Sequence, residues 1–88
     1  MSNLFHVDIL SCDKVIYDTE ALSLVVPAEL GYMEILANHA PLIARLREGK
    51  ITLKASSGEK KVFDAQGPGY MEVLKNNVTV IFDYPSNN

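Results

Sequence analysis

Two histidines, one cysteine and a scatter of carboxylates are the residues of this 88-residue chain whose types could carry chemistry. His6 stands two positions before Asp8, a spacing that puts both side chains on one face of an extended strand. That describes a surface or interface histidine. A metal centre needs further ligands at close spacing, and neither His6 nor His39 has them in the sequence. His39 lies in Asn38-His39-Ala40-Pro41-Leu42, where a loop histidine either hydrogen-bonds to backbone or positions a contact with another subunit. Catalysis would need a Ser, Cys or acid arranged to share a proton with it, and none is so arranged. Cys12 is the lone cysteine, so no disulfide forms within one chain, which fits a reducing compartment. Only Lys14 stands near it, so an inert thiol is expected. Glu29, Glu34, Glu48, Glu59 and Glu72 are spread over turns and strand faces, and no two are marked as an acid and base pair.

The glycine motifs are equally unpromising as cofactor sites. Gly49-Lys50 lacks the upstream glycine of a phosphate-binding loop, and Ile51 sits where Ser or Thr would bind magnesium. Gly67-Pro68-Gly69 is too short and too proline-stiff for a dinucleotide fingerprint, and reads as a tight turn between strands. Met71-Glu72-Val73-Leu74-Lys75 ends near a turn, faintly like the modified-lysine hairpin of biotinyl and lipoyl carriers, which are all-β sandwiches of about this length. The carrier motif wants methionines beside the lysine, and Leu74 and Asn76 flank Lys75 instead. A carrier domain is the alternative function; a small hydrolase using His39 is a third.

The elements that must position these residues follow a period of two. Phe5, Val7 and Ile9 share one face of an opening strand, with His6 and Asp8 on the other. Leu22, Leu24 and Val26 alternate with Ala21, Ser23 and Val25, so both faces are apolar. That describes a central strand, ended by Pro27. Met33 and Ile35, then Ile51, Leu53 and Ala55, then Tyr70, Glu72 and Leu74, then Val78, Val80 and Phe82 continue the alternation. Turns fall at Ser11-Cys12-Asp13, Glu48-Gly49, Ser56-Ser57-Gly58, Gly67-Pro68-Gly69 and Asn76-Asn77. Many short strands with evenly spaced turns give an all-β sandwich or barrel. One segment fits two patterns. Asn38 can cap a helix with Ala40, Ile43, Ala44 and Arg47 at helical spacing, while Leu42, Ala44 and Leu46 alternate as a strand.

Size and charge bound the rest. A chain this short forms one domain and buries only about 60–65% of its unfolded surface. The 48% hydrophobic content supplies one core, which a partner surface would help to complete. The net charge of −3 and scattered Lys and Arg exclude a nucleic-acid footprint. No apolar run approaches the ~20 residues needed to span a bilayer, and the N-terminus has no basic region of a secretory signal. Membrane association is therefore expected through a protein partner, without direct insertion. The domain is assigned to residues 1–84, with a frayed tail at 85–88.

Order and spacing of several short pieces carry a family resemblance. Phe5-His6-Val7-Asp8-Ile9-Leu10-Ser11 is followed by Val25-Val26-Pro27, then by Gly31-Tyr32-Met33-Glu34-Ile35-Leu36-Ala37-Asn38-His39-Ala40-Pro41-Leu42. Gly49-Lys50-Ile51, Gly69-Tyr70-Met71-Glu72-Val73 and Val78-Thr79-Val80 complete the set. Over residues 4 to 83 the chain resembles the N-terminal β-sandwich domain of the epsilon subunit (delta in mitochondria) of F-type ATP synthases, with Asn38-His39-Ala40-Pro41-Leu42 the most specific element. The resemblance tips the ambiguous segment to strand.

The resemblance implies a flattened sandwich of about ten short strands in two sheets. It implies a non-catalytic central-stalk rotor subunit of a proton-translocating synthase, needing no cofactor and no metal. In that family the domain packs on the gamma shaft and rests on the polar loops of the membrane c-ring, peripheral on the cytoplasmic side of the bacterial inner membrane. The loop of Glu29, Leu30, Gly31 and Tyr32 resembles the part that rests on the c-ring. His39, with Ala40, Pro41 and Leu42, resembles the part near gamma, and an exposed apolar patch on one sheet would widen that contact. Many members carry an acid after the glycine matched by Gly31, where this chain has Tyr32. Many also continue into two antiparallel helices that stop ATP hydrolysis. Only four residues follow Tyr84, so the resemblance implies a chain lacking that autoinhibitory hairpin.

Overall fold

A computed structural model describes residues 3–11 and 14–82; the Cys12 thiol and the tail expected at 85–88 lie outside them. Eight strands and no helix stand among the described residues, where the resemblance implied about ten strands: β1 (Phe5–Ser11), β2 (Lys14–Ala28), β3 (Gly31–Ile35), β4 (Leu42–Leu46), β5 (Gly49–Ala55), β6 (Lys60–Ala65), β7 (Gly69–Leu74) and β8 (Asn77–Phe82). The helical option for the segment after Asn38 is closed, because Leu42–Leu46 pairs residue by residue with β7.

β2 organises the fold. It runs for 15 residues. Its first half pairs antiparallel with β1, and its second half pairs with β5 and β3. Around it the strands follow the order β1-β8-β7-β4-β2-β5-β6, so one continuous hydrogen-bonded sheet folds over on itself into a β-sandwich. A single pairing, Ala28 with Leu46, closes it. The result is flattened, 42 × 27 × 20 Å.

Alternation places the core as the sequence reading expects. Phe5, Val7 and Ile9 from β1, Ile51 and Leu53 from β5, and Val78, Val80 and Phe82 from β8 are buried, while no polar or charged side chain is buried among the described residues. In β2 the alternation slips. The pairing with β5 shifts between Ala21 and Ser23, a bulge that lets Ala21 and Leu24 both face inward.

Two expectations need correction. β2 does not stop at Pro27: it continues to Ala28, with Pro27 itself buried opposite Tyr32. The β5 pairing has already ended at Val25 with Thr52, so the missing proline donor removes no bond to β5. The Pro27 carbonyl still accepts the Arg47 N–H at 2.9 Å. The strand β6 was not anticipated. In Lys60-Lys61-Val62-Phe63-Asp64 the two apolar residues are adjacent, and the inward side is carried by half-buried Phe63, its ring tilted against Tyr17 at 5.6 Å between centroids, and by buried Ala65.

Candidate functional site: the two ends of β4

The two segments singled out by the sequence stand at opposite ends of β4. Leu42 pairs with Val73 beside the β7–β8 turn, and Leu46 pairs with Gly69 beside the β2–β3 turn. Four residue steps of about 3.3 Å separate these ends by roughly 13 Å.

At one end Ala28 pairs with Gly31, so Glu29 and Leu30 form a two-residue hairpin turn. Leu30 is fully exposed, at 101%. Gly31 has φ 139° and faces open space. The turn is tied back to the sheet, since the Glu29 N–H donates to the Arg45 carbonyl at 2.9 Å. Tyr32 is 61% exposed, yet its hydroxyl is held, accepting the Lys50 N–H at 3.1 Å. Gly49 makes this approach possible. Its φ is 153°, and a Cβ there would stand 2.7 Å from the Tyr32 Oη and 2.9 Å from the Pro27 Cβ. The Lys50 ammonium donates to Asp64 at 2.8 Å, which raises its pKa above the ordinary lysine value. A shallow, mainly apolar cleft of about 430 Å³ runs from this turn to Ala44 and Arg45 on β4. Thus Glu29, Leu30, Gly31 and Tyr32 form one continuous surface feature.

At the other end lies the connection from β3 to β4, with Asn38 in the left-handed conformation at φ 66°. The His39 Nδ1–H donates to the Ala40 carbonyl at 2.7 Å, the backbone bond expected of a loop histidine. This places the ring proton on Nδ1 and leaves Nε2 as the acceptor in the neutral form. His39, Ala40, Pro41 and Leu42 follow one another into β4, with Leu42 half-buried against the core.

Between these ends, the outward side chains of β4, β7 and β8 carry apolar groups. Ile43, Tyr70, Leu74 and Ile81 are all exposed. Tyr70 pairs with both Arg45 and Ile81, and Ile81 pairs with Leu10 of β1. Glu72 and Thr79 interrupt the apolar row.

The sequence reading missed a cluster on the β1–β2 ribbon. It found no ligand-type neighbour for His6 beyond Asp8, but register sets Glu20 opposite His6 and Asp18 opposite Asp8. The His6 Nδ1 lies 2.8 Å from Glu20, its Nε2 lies 3.1 Å from Asp8, and Asp18 completes a His–Asp–Asp group with ligand atoms within 4.8 Å of one another. Both ring nitrogens face carboxylates, so the imidazolium, when protonated, is itself the cation of this cluster. The Glu20 hydrogen bond is the largest effect and raises its pKa; burial opposes the rise, and Asp8 adds to it. Only the cross-strand pairing shows this, and no local spacing encodes it.

Lys75 stands at the β7–β8 hairpin tip, where a carrier lysine would stand. Comparison with known proteins gives the carrier reading no support. A protein-family profile described as "ATP synthase, Delta/Epsilon chain, beta-sandwich domain" matches residues 4–84. The chain is 40% identical over 83 residues to the ATP synthase epsilon chain of Dichelobacter nodosus, covering 94% of this chain and 57% of the relative. It is 42% identical over 83 residues to that of Alkalilimnicola ehrlichii, covering 94% and 58%. It therefore spans just over half the length of these relatives. The fold matches a chain in the cryo-EM structure of Euglena gracilis mitochondrial ATP synthase (OSCP/F1/c-ring, rotational state 1), with TM-score 0.85, 17% identity, and coverage of 93% of this chain and 52% of that one. Sequence profile and strand arrangement agree along nearly the whole length, and the chain belongs to the ATP synthase delta/epsilon chain family, of which it carries the β-sandwich domain.

Proposed function

We propose that this chain is a non-catalytic rotor element of a proton-translocating F-type ATP synthase, joining the gamma shaft to the c-ring. The observation that carries this is the family match across residues 4–84, with bacterial relatives named ATP synthase epsilon chain. The domain, taken as residues 1–84, acts as a stiff coupling block. Close-packed interiors resist compression, and here the core runs unbroken from β1 to β8. Glu29, Leu30, Gly31 and Tyr32 form the c-ring contact, with Leu30 projecting into a polar loop of the ring. His39, Ala40, Pro41 and Leu42 form the gamma contact, continued by the exposed apolar row of Ile43, Tyr70 and Ile81. Bound in this way, the chain sits on the cytoplasmic side of a bacterial inner membrane. Attachment runs through these two protein contacts; no helix among the described residues is long and apolar enough to cross a membrane.

The test is a pull-down of the tagged 88-residue chain with purified gamma, and separately with detergent-solubilised c-ring carrying gamma. Stoichiometric binding to gamma and retention on the gamma–ring complex are expected. Failure to bind gamma would overturn the reading. Binding to gamma with no added retention on the ring would remove the c-ring contact alone.

A further inference from the structure

Asn76 joins three parts of the chain that are far apart in sequence. It is the second residue of the two-residue β7–β8 turn, in which Lys75 has φ 50° and Asn76 φ 61°. Two successive positive φ values make this a type I′ turn, the geometry whose twist suits a hairpin. Its backbone carbonyl accepts the His6 N–H at 2.9 Å, which anchors the turn to β1. Its side chain reaches the other way. Asn76 Oδ1 accepts the Asn38 N–H at 2.6 Å, and Asn76 Nδ2–H donates to Asn38 Oδ1 at 3.1 Å.

The two asparagines form a reciprocal pair across 38 positions of sequence. Asn38 is itself in the left-handed region, at φ 66°, a conformation Asn tolerates better than most residues. The turn would form without an asparagine side chain at position 76, because glycine is the preferred residue there. The side chain is therefore surplus to the hairpin, and both its bonds go to the segment that opens Asn38-His39-Ala40-Pro41-Leu42.

We propose that Asn76 is a positioning residue for the gamma contact: its paired bonds to Asn38 fix the loop that presents His39 and Pro41 before gamma arrives. This rests on the reading of His39, Ala40, Pro41 and Leu42 as that contact. A loop ordered in advance loses less conformational freedom on binding, so the partner meets it with higher affinity.

The test uses the full 88-residue chain and the variants Asn76→Gly, Asn38→Gly and Asn76→Asp. Glycine keeps the turn and the carbonyl that accepts from His6, and removes only the clasp. Backbone amide exchange at Asn38 and His39 is expected to rise roughly 10-fold in Asn76→Gly, with Val80 and other core amides unchanged, and gamma affinity to fall roughly 10-fold, the scale of two neutral hydrogen bonds. Aspartate at 76 still accepts the Asn38 N–H, and the Asn38 amide then turns to donate. Most of the affinity should return. Asn38→Gly keeps the backbone N–H that donates to Asn76 Oδ1 and loses only the side-chain bond, so it should cost less than Asn76→Gly, and the double variant should cost little more than Asn76→Gly alone.

Unchanged exchange at Asn38 in Asn76→Gly would overturn the clasp. Faster exchange with wild-type affinity, or a loss that Asn76→Asp does not recover, would overturn the positioning role. A wild-type chain that binds no gamma fails the underlying contact reading and the positioning role with it, while the exchange measurement still reports on the clasp itself.

Discussion

Gly49 is the position where one added methyl should do most to separate the fold from its exposed hairpin. At φ 153° an L-residue is held in a sparsely populated region, at about 1–3 kcal/mol. The methyl of Gly49→Ala would stand 2.7 Å from Tyr32 Oη, 2.9 Å from Pro27 Cβ and 3.1 Å from Pro27 Cγ. The two neighbours respond differently. Tyr32 is exposed, so its ring can swing away, giving up the Lys50 N–H bond at a net loss of about 0.5–1.5 kcal/mol. Pro27 is buried in β2 with its ring fixed, so it can only be pushed, and overpacking of that kind adds about 1–3 kcal/mol.

Together these effects predict a destabilisation of about 3–5 kcal/mol, a large fraction of the 5–15 kcal/mol typical of a domain. At roughly 4–8 °C per kcal/mol for a chain of this size, the melting temperature should fall by at least about 12 °C. Circular dichroism melts and urea titrations of wild type, Gly49→Ala, Tyr32→Phe and the double variant apportion the loss. Tyr32→Phe alone should cost no more than about 1.5 kcal/mol, the net worth of one hydrogen bond. In the double variant the clash with the hydroxyl disappears, but the strain and the Pro27 contact remain. It should therefore stay much closer to Gly49→Ala than to wild type. A Gly49→Ala chain melting within about 3 °C of wild type, under 1 kcal/mol at this size, would refute the reasoning.

Gly69→Ala should be more damaging still. Its Cβ would collide with the backbone carbonyl of Ile81, which no side-chain rotation relieves. A loss of at least about 3 kcal/mol is expected by urea denaturation, and near-native stability would exclude the tight β7–β8 approach at this point. Raising the pH should weaken the β1–β2 ribbon. The pKa of His6 is raised by Glu20 and Asp8, so the stability it contributes is complete below the ordinary histidine value near 6.5 and fades as pH climbs through the raised value. Wild type should then lose about 0.2–1 kcal/mol relative to His6→Gln between about pH 5.5 and 8.5, the range for exposed ion pairs; parallel profiles would show that the cluster carries no such linkage. Leu30→Ser should leave the melting temperature nearly unchanged, within about 0.5 kcal/mol as for surface substitutions generally, because Leu30 has no buried surface to lose. It should reduce retention on the c-ring, and unaltered retention would remove Leu30 from that contact.

How much of this was legible depends on whether a residue's role is set locally or across strands. β1, β5, β7 and β8 alternate cleanly, and Val7, Ile9, Ile51, Met71 and Val80 are all fully buried as that alternation requires. The first half of β2 hides because Val15, Ile16 and Tyr17 are consecutive apolar residues followed by Asp18 and Glu20. Its strand state comes from the β1 pairing; the local pattern does not supply it. Pro27 misleads for a related reason. A proline ends a strand only where a donor is needed, and the end of the β5 ladder at Val25 cannot be seen from the residues around position 27. The segment after Asn38 fits helix and strand equally until β7 supplies partners for Leu42 through Leu46.

The same division runs through the candidate site. The hairpin tip at Glu29 and Leu30 and the loop at His39 are contiguous stretches, so a resemblance could single them out. That they occupy opposite ends of one strand depends on register alone. β4 is laddered to β7 along its whole length but to β2 only at Ala28 with Leu46. A force applied at the hairpin tip therefore reaches the His39 loop along two routes, directly through β4 and through β7 to the Lys75–Asn76 turn and its Asn38 clasp. The second route needs the Asn38–Asn76 bonds. Removing them should leave the block's core as stiff as before and loosen only the loop, which is why loop exchange and gamma affinity are the informative readings there and global stability is not.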